Sequence, residues 1–170
     1  MPKSAILELT SLSPEEVLER VETVLRHQDN VREGCELLGR RLIKEGEIEL
    51  GVDLIRNGRE HDNSKLRGVE FLGLTQDKDS ELLKFAIAHH QQVNAHHPEY
   101  WHGIENVPEL FLAEMVCDWR ARSIEFGSNL REWIKDHALD KYKIPPNGKT
   151  CKKIKEFVDL LLEDPFKPLK

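Results

Sequence analysis

Five of the chain's eight histidines fall in two short stretches, REHDNSK at 59–65 and AHHQQVNAHHPEYW at 88–101. Imidazole and carboxylate are the side chains that hold divalent transition ions, through a neutral ring nitrogen and a carboxylate oxygen. His61 and Asp62 are adjacent and follow a helix-stop signal, Asn57-Gly58. His89 and His96, and likewise His90 and His97, are seven residues apart, two turns of a helix, so each pair aligns on one face if the helix runs through them. Asn94 lies one turn from His90. Imidazoles that share a helix with core residues each need a partner for a buried nitrogen. A bound cation meets that need, and the alternative is a solvated helix that happens to be rich in histidine.

Two more residues fit the same chemistry. His27 is flanked by Val24 at i−3 and Val31 at i+4, which turns it inward at the edge of an apolar stripe. Asp118 sits among Met115, Val116, Cys117 and Trp119, where an unpaired carboxylate is costly to bury. It needs a cation, either Arg122 one turn on or a metal.

The elements that carry these residues read as helices. Ser13-Pro14-Glu15-Glu16 is a helix start, with a capping serine, proline at the first position and glutamate three residues after the cap. Val17, Val21, Val24, Leu25, Val31, Cys35, Leu38 and Leu42 follow at steps of mostly three and four, predicting one long helix or two collinear ones with Gly34 and Gly39 as candidate bends. A second helix is expected from about 47 to 55, a third over 79–97 capped by Asp79 or Ser80 and ended by Pro98, and a fourth over 107–127. NLREWIKDHALDKY reads as a short helix, IPPNGK as a turn, and TCKKIKEFVDLLLED as a terminal amphipathic helix, a lid on the core. No run alternates in the way a sheet demands. The expected fold class is all-α: a single compact helical bundle over 1–170, with the site-bearing core at about 13–127 and a helical extension at about 128–170.

Composition narrows the function classes. A formal charge of −6 argues against a nucleic-acid polymer as partner, since that affinity comes from neutralising phosphates. A small phosphorylated ligand fits better. No apolar run is long enough for a membrane span, and the N-terminal MPKSAILELTSLSP carries too short a run for a signal peptide, so the chain reads as cytoplasmic. Cys35, Cys117 and Cys151 are an odd set without paired spacing, as expected of free thiols. Monomer and homodimer both stay open.

In chain order the pattern is His27, His61-Asp62, one histidine of 89/90, one of 96/97, then Asp118. This order resembles the HD-domain superfamily of metal-dependent phosphohydrolases, and HDNSK, HHQQVNAHHPEYW and EMVCDW are similar to HD-like proteins of bacteria and phages. The resemblance spans about 27–125; it is specific for fold and metal and unspecific for substrate. It implies an HD-domain-like bundle in which His27, His61, Asp62 and Asp118 hold one divalent transition ion (Mn, Fe, Co, Ni or Zn). In the binuclear branches a second ion is held by the bridging Asp of the HD pair and two intervening histidines. His90 and His97 are the first choice for those positions, with His89 and His96 as alternates. The two histidines of either pair are only seven residues apart, closer than in the cyclic-dinucleotide branch, whose Gly-Tyr-Pro signature is also absent, so the count, one ion or two, is open.

The resemblance implies hydrolysis of a small phosphate ester, foremost a nucleotide, in the manner of a 5′-nucleotidase. Lys65, three residues after Asp62, is expected to bind the phosphate, and Glu70 to protonate the leaving oxygen. Arg59, Asn94 and Arg122 are further candidates for contacting substrate. Tyr100 and Trp101 are either core aromatics or a platform for a base. A di-iron oxygenase using the same ligands and a non-catalytic protein that binds metal or nucleotide are the rival expectations.

Overall fold

The computed structural model describes residues 12–73 and 80–163. All regular structure among them is helical, as the sequence predicts. Ser13 accepts from the Glu16 N–H at 3.2 Å while the Glu16 carboxylate accepts from the Ser13 N–H at 2.6 Å, which closes the capping box and starts α1 (Pro14–Lys44). At its other end Gly46 takes φ +94, and the N–H groups of Gly46 and Glu47 donate to the carbonyls of Ile43 and Leu42 at 3.2 and 2.9 Å. That double bond is the Schellman stop, and it turns the chain straight into α2 (Ile48–Gly58).

α1 runs unbroken through Gly34 and Gly39, which do not divide it into two helices. They admit close neighbours instead. A Cβ at Gly39 would lie 2.6 Å from the Gly51 carbonyl oxygen, and one at Gly51 would lie 2.5 Å from the Gly39 oxygen, so α1 and α2 cross backbone against backbone. Gly34 faces Cys117 of α5 (Glu109–Glu125) at 3.3 Å in the same sense.

After α2 come a 3₁₀ turn at Asn63–Leu66, the short α3 (Gly68–Gly73), and α4 (Glu81–Val93), capped by Ser80. α4 is shorter than expected, because it ends at Val93 and not at 97. The Asn94 side-chain amide donates to the His90 carbonyl at 2.9 Å beside the backbone N–H of the same residue at 3.2 Å, Asn94 leaves the helical region at φ −110, ψ 116, and Pro98 holds His97 extended at φ −96, ψ 132. His96 and His97 therefore lie beyond the helix, and the two-turn alignment with His89 and His90 does not apply to them.

α5 is buried nearly all round, from Leu112 through Cys117 without a polar face. α6 (Leu130–Trp133) continues into a π-helical turn at Ile134–Ala138, and α7 (Lys149–Leu161) closes the bundle. α7 is part of the core: Ile154, Phe157, Val158 and Leu161 join Leu38, Leu54, Val116 and Trp119 in one apolar cluster. Arg41 of α1 fastens its end by donating to the carbonyls of Leu160 and Glu163. Cys35, Cys117 and Cys151 are free and buried. No helix among the described residues is long and apolar enough to cross a membrane.

Candidate metal centre

α2 ends at Gly58, and four residues later the backbone of Asp62 enters the left-handed region at φ 55, ψ 21. An aspartate tolerates that conformation better than most residues do. The step turns the adjacent side chains of His61 and Asp62 into one buried cavity, where they are 2 and 1 % exposed. Gln28 of α1 clamps the turn, donating to the His61 carbonyl at 2.9 Å and to Asn63 Oδ1 at 3.3 Å.

Around Asp62 the donors divide into two groups. On the Oδ2 side, His27 Nε2 lies at 3.4 Å and His61 Nε2 at 3.3 Å, and His27 Nε2 is also 3.2 Å from Asp118 Oδ1. The ligand atoms of His27, His61 and Asp118 all fall within 4.8 Å of one another. On the Oδ1 side, His90 Nε2 lies at 3.3 Å and His96 Nε2 at 3.4 Å. His97 completes a second group, its ligand atom within 4.8 Å of those of His90 and His96.

Nine buried side-chain nitrogen and oxygen atoms among the described residues lack a hydrogen-bond partner. Seven of them are here: Nε2 of His27, His61, His96 and His97, both oxygens of Asp62, and Asp118 Oδ1. Burying such atoms without hydrogen bonds is expensive, and their concentration in one cavity suits a divalent transition ion. His27, His61, Asp62 and Asp118 offer one set of nitrogen and oxygen ligands. Asp62, His90, His96 and His97 offer a second.

The opposite ring nitrogens of three of these histidines are hydrogen-bonded. His27 Nδ1 meets Glu125 at 2.8 Å, His61 Nδ1 meets Glu114 at 2.9 Å, and His90 Nδ1 meets Glu70 at 2.7 Å. A carboxylate behind each ring holds the proton on Nδ1 and leaves Nε2 free to ligate. Glu114 also lies 3.4 Å from His96 Nδ1, so it backs both groups.

Charge in the cavity is strongly coupled. Burial works against a charged His27, but the carboxylates of Asp118, Asp62 and Glu125 outweigh it and raise its pKa to about 9. His61 likewise overcomes its burial through Asp62 and Glu114 and reaches about 10. Asp62 and Asp118 stay well below the usual carboxylate range because the imidazoles around them, with Lys65 beside Asp62, overcome desolvation. Glu114 is held down at about 2, the neighbouring His61 and His96 outweighing its burial. For His97, burial and the adjacent His96 and His90 act together and lower the pKa to about 2, which keeps it a neutral donor.

The model of a family of unknown function (DUF5662) matches residues 16–160. The chain belongs to this family. No curated protein and no solved structure matches it. The family span in this DUF5662 protein runs from α1 into α7, so it contains every residue of the histidine cluster.

Several expected positions in the DUF5662 site need correction. His89 does not enter the cavity: its side chain is 42 % exposed and its Nδ1 is taken by Glu70 Oε1 at 2.8 Å. His96 and His97 both enter, because the chain turns at Asn94 and does not continue as a helix. Glu70 is not free to protonate a leaving group. It is 1 % exposed, and its oxygens accept from Ser64 at 2.7 Å and from His89 and His90, so it positions His90. Asn94 is likewise engaged, donating to Ser64 Oγ at 3.0 Å and to the His90 carbonyl. Lys65 does lie over the cavity, paired with Asp62 Oδ2.

Arg59 is exposed at the end of α2 and does not join the cluster. Arg122 pairs with Glu125 at 3.0 Å and not with Asp118, so it acts on the site only through the partner of His27. Trp101 packs on Phe111 and donates to the Ala95 carbonyl at 2.7 Å, while Tyr100 stays 44 % exposed beside it. Gln28, Glu114 and Glu125 were not expected. Glu114 had one signal, a lone charge inside a continuous apolar stretch of α5.

Proposed function

We propose that the protein is a metal-dependent hydrolase of small phosphate esters, of the HD-domain type, with nucleotides as the first substrate class to test. The observation that carries this reading is Asp62, whose two buried oxygens face His27 and His61 on one side, where Lys65 also pairs with Oδ2, and His90 and His96 on the other.

A divalent ion held there lowers the pKa of a coordinated water towards neutrality and polarises a phosphoryl oxygen. The chain's own groups do the rest. Glu125, Glu114 and Glu70 fix the tautomers of His27, His61 and His90. Lys65, held against Asp62 Oδ2, supplies a positive charge beside the ligand set, able to pair with a phosphate oxygen. The acidic charge of the chain favours a small anion over a polymer, because a nucleic acid needs a broad basic surface.

The test is elemental analysis of the purified protein, followed by phosphate release from a nucleotide panel with Mn²⁺ or Co²⁺. Turnover that disappears in Asp62→Ala, with the fold retained, supports the reading. A folded, metal-loaded protein without turnover on any phosphate ester overturns it.

One observation favours a second reading, an iron-dependent oxygenase. The Oδ1 side of Asp62 offers three imidazoles, and imidazole-rich sites suit iron. Iron as the bound metal, a Mössbauer signal and oxygen consumption would select it.

A further inference from the structure

At the end of the bundle built from α6, its π turn and α7 there is a cavity of about 520 Å³ that shares no residue with the histidine cluster. That volume lies within the range of small-molecule sites, roughly 300–1,000 Å³. Its floor is apolar: Ile134, Ile144, Cys151, Ile154 and Val158, each 9 % exposed or less. Cys151, Ile154 and Val158 follow at three- and four-residue steps, so one stripe of α7 faces the cavity.

The rim is basic. Lys135, Lys143 and Lys155 are exposed and have no ion pair among the described residues, whereas Arg131 is already paired with Asp159 at 2.7 Å. Asp140 is the one acid among the lining residues. Three unpaired ammonium groups around one opening stand out in a chain of net charge −6.

Two irregularities of the backbone shape this opening. The Leu139 N–H donates to the Ile134 carbonyl at 3.1 Å, five residues back, and π turns of this kind recur at functional sites. Lys143 holds φ 50, a left-handed conformation that glycine or asparagine adopts at lower cost. Both place a lysine, 135 or 143, at the rim.

We propose that this cavity binds an anionic amphiphile of the fatty-acid class. The carboxylate sits among Lys135, Lys143 and Lys155, and the hydrocarbon chain covers Ile134, Ile144, Ile154 and Val158. A neutral hydrophobe leaves the three cations without a counterpart. A free inorganic anion leaves the apolar floor uncovered.

The experiment is calorimetric titration of the full chain with laurate, with dodecanol and acetate as the uncharged and tail-less counterparts. Laurate binds saturably at one site, dodecanol binds about tenfold more weakly or worse, and acetate does not bind. Lys143→Gln with Lys155→Gln, both on the surface, weakens laurate but not dodecanol. Ile154→Trp fills the cavity and abolishes both, with its melting temperature measured alongside. The proposal is overturned if laurate binds no better than dodecanol, or if the lysine variant leaves laurate affinity unchanged. Absence of saturable binding also overturns it, including the case in which a second copy of the chain occupies the cavity and light scattering reports a dimer.

Discussion

The Nδ1–H of His61 donates to Glu114 Oε1 at 2.9 Å, across the gap between the turn after α2 and the buried face of α5. A carboxylate in this position orients the ring and raises its basicity, and its loss typically weakens metal binding by about 10–100-fold. Glu114→Ala is expected to fall in that range by equilibrium dialysis against Mn²⁺ or Zn²⁺. Glu114→Gln, which keeps an acceptor oxygen, should lose less. Equal affinity in all three proteins would show that Glu114 has no part in orienting His61.

Lys65 gives a prediction with opposite signs in two measurements. Its ammonium lies against Asp62 Oδ2, where it competes with any cation for that oxygen. Like charges about 4 Å apart repel by on the order of 4 kcal/mol at an effective dielectric near 20. Lys65→Met should therefore tighten metal binding, by about tenfold or more, in a chelator-competition titration. The same variant should melt earlier when metal-free, because Asp62 then loses one of the cations that offset its burial, with His27 and His61 remaining, and phosphate release should fall.

The crossing of α1 and α2 sets the stability of the hairpin that brings His27 to His61. An added Cβ at Gly39 or Gly51 meets a carbonyl oxygen at 2.6 or 2.5 Å, and backbone cannot step aside as a side-chain tip can. Gly39→Ala and Gly51→Ala are each expected to cost about 1–3 kcal/mol in urea unfolding, even after the helical gain of alanine. Gly46→Ala has open space around it and should cost only the left-handed strain at φ +94, on the order of 1 kcal/mol.

Protonation of the cluster predicts how the metal-free protein responds to pH. His27 and His61 have folded pKa values raised from 6.5 to about 9 and about 10. Groups raised in this way stabilise the fold fully below pH 6.5, and that contribution is lost as pH climbs through 9 and 10. Asp62, Asp118 and Glu114 are lowered, so their contribution is present above the ordinary carboxylate range and disappears as pH falls below it. His97, lowered to about 2, and His90, also lowered, are neutral in the fold where the unfolded imidazole is charged, so stability also rises with pH up to the ordinary imidazole value. The urea midpoint should then climb from acid to a maximum at about pH 6.5 and decline above it. His27→Gln should flatten the alkaline limb. An alkaline limb identical to that of the unsubstituted chain would mean that His27 is not raised.

The helices were legible because their signals are local. Ser13 with Glu16, the apolar stripe from Val17 to Leu42 and Ser80 before α4 each act within one or two turns. The inner ring of candidate ligands was legible for a related reason: histidines and aspartates in apolar surroundings have few other uses. What could not be read was tertiary. Glu125 looks like an ordinary charge at the end of α5, and Glu114 is a lone charge in an apolar stretch with no visible partner, until His27 and His61 are seen beside them. Glu70 reads as a proton donor and Asn94 as a substrate contact because nothing near them in the chain shows that their polar atoms are already occupied. The sequence places the end of α4 at Pro98, the stronger local stop signal, whereas the helix already ends at Val93 with Asn94 as its cap.

Asp62 must satisfy a shape and a charge at a single position. The left-handed backbone restricts it to glycine, asparagine or aspartate at small cost, and the cavity around it calls for an anion with two oxygens to share. Only one of the twenty residue types meets both conditions. Asp62→Asn, which keeps the bend, and Asp62→Gly, which keeps only the backbone freedom, thus make it possible to measure the architecture of this centre separately from its electrostatics.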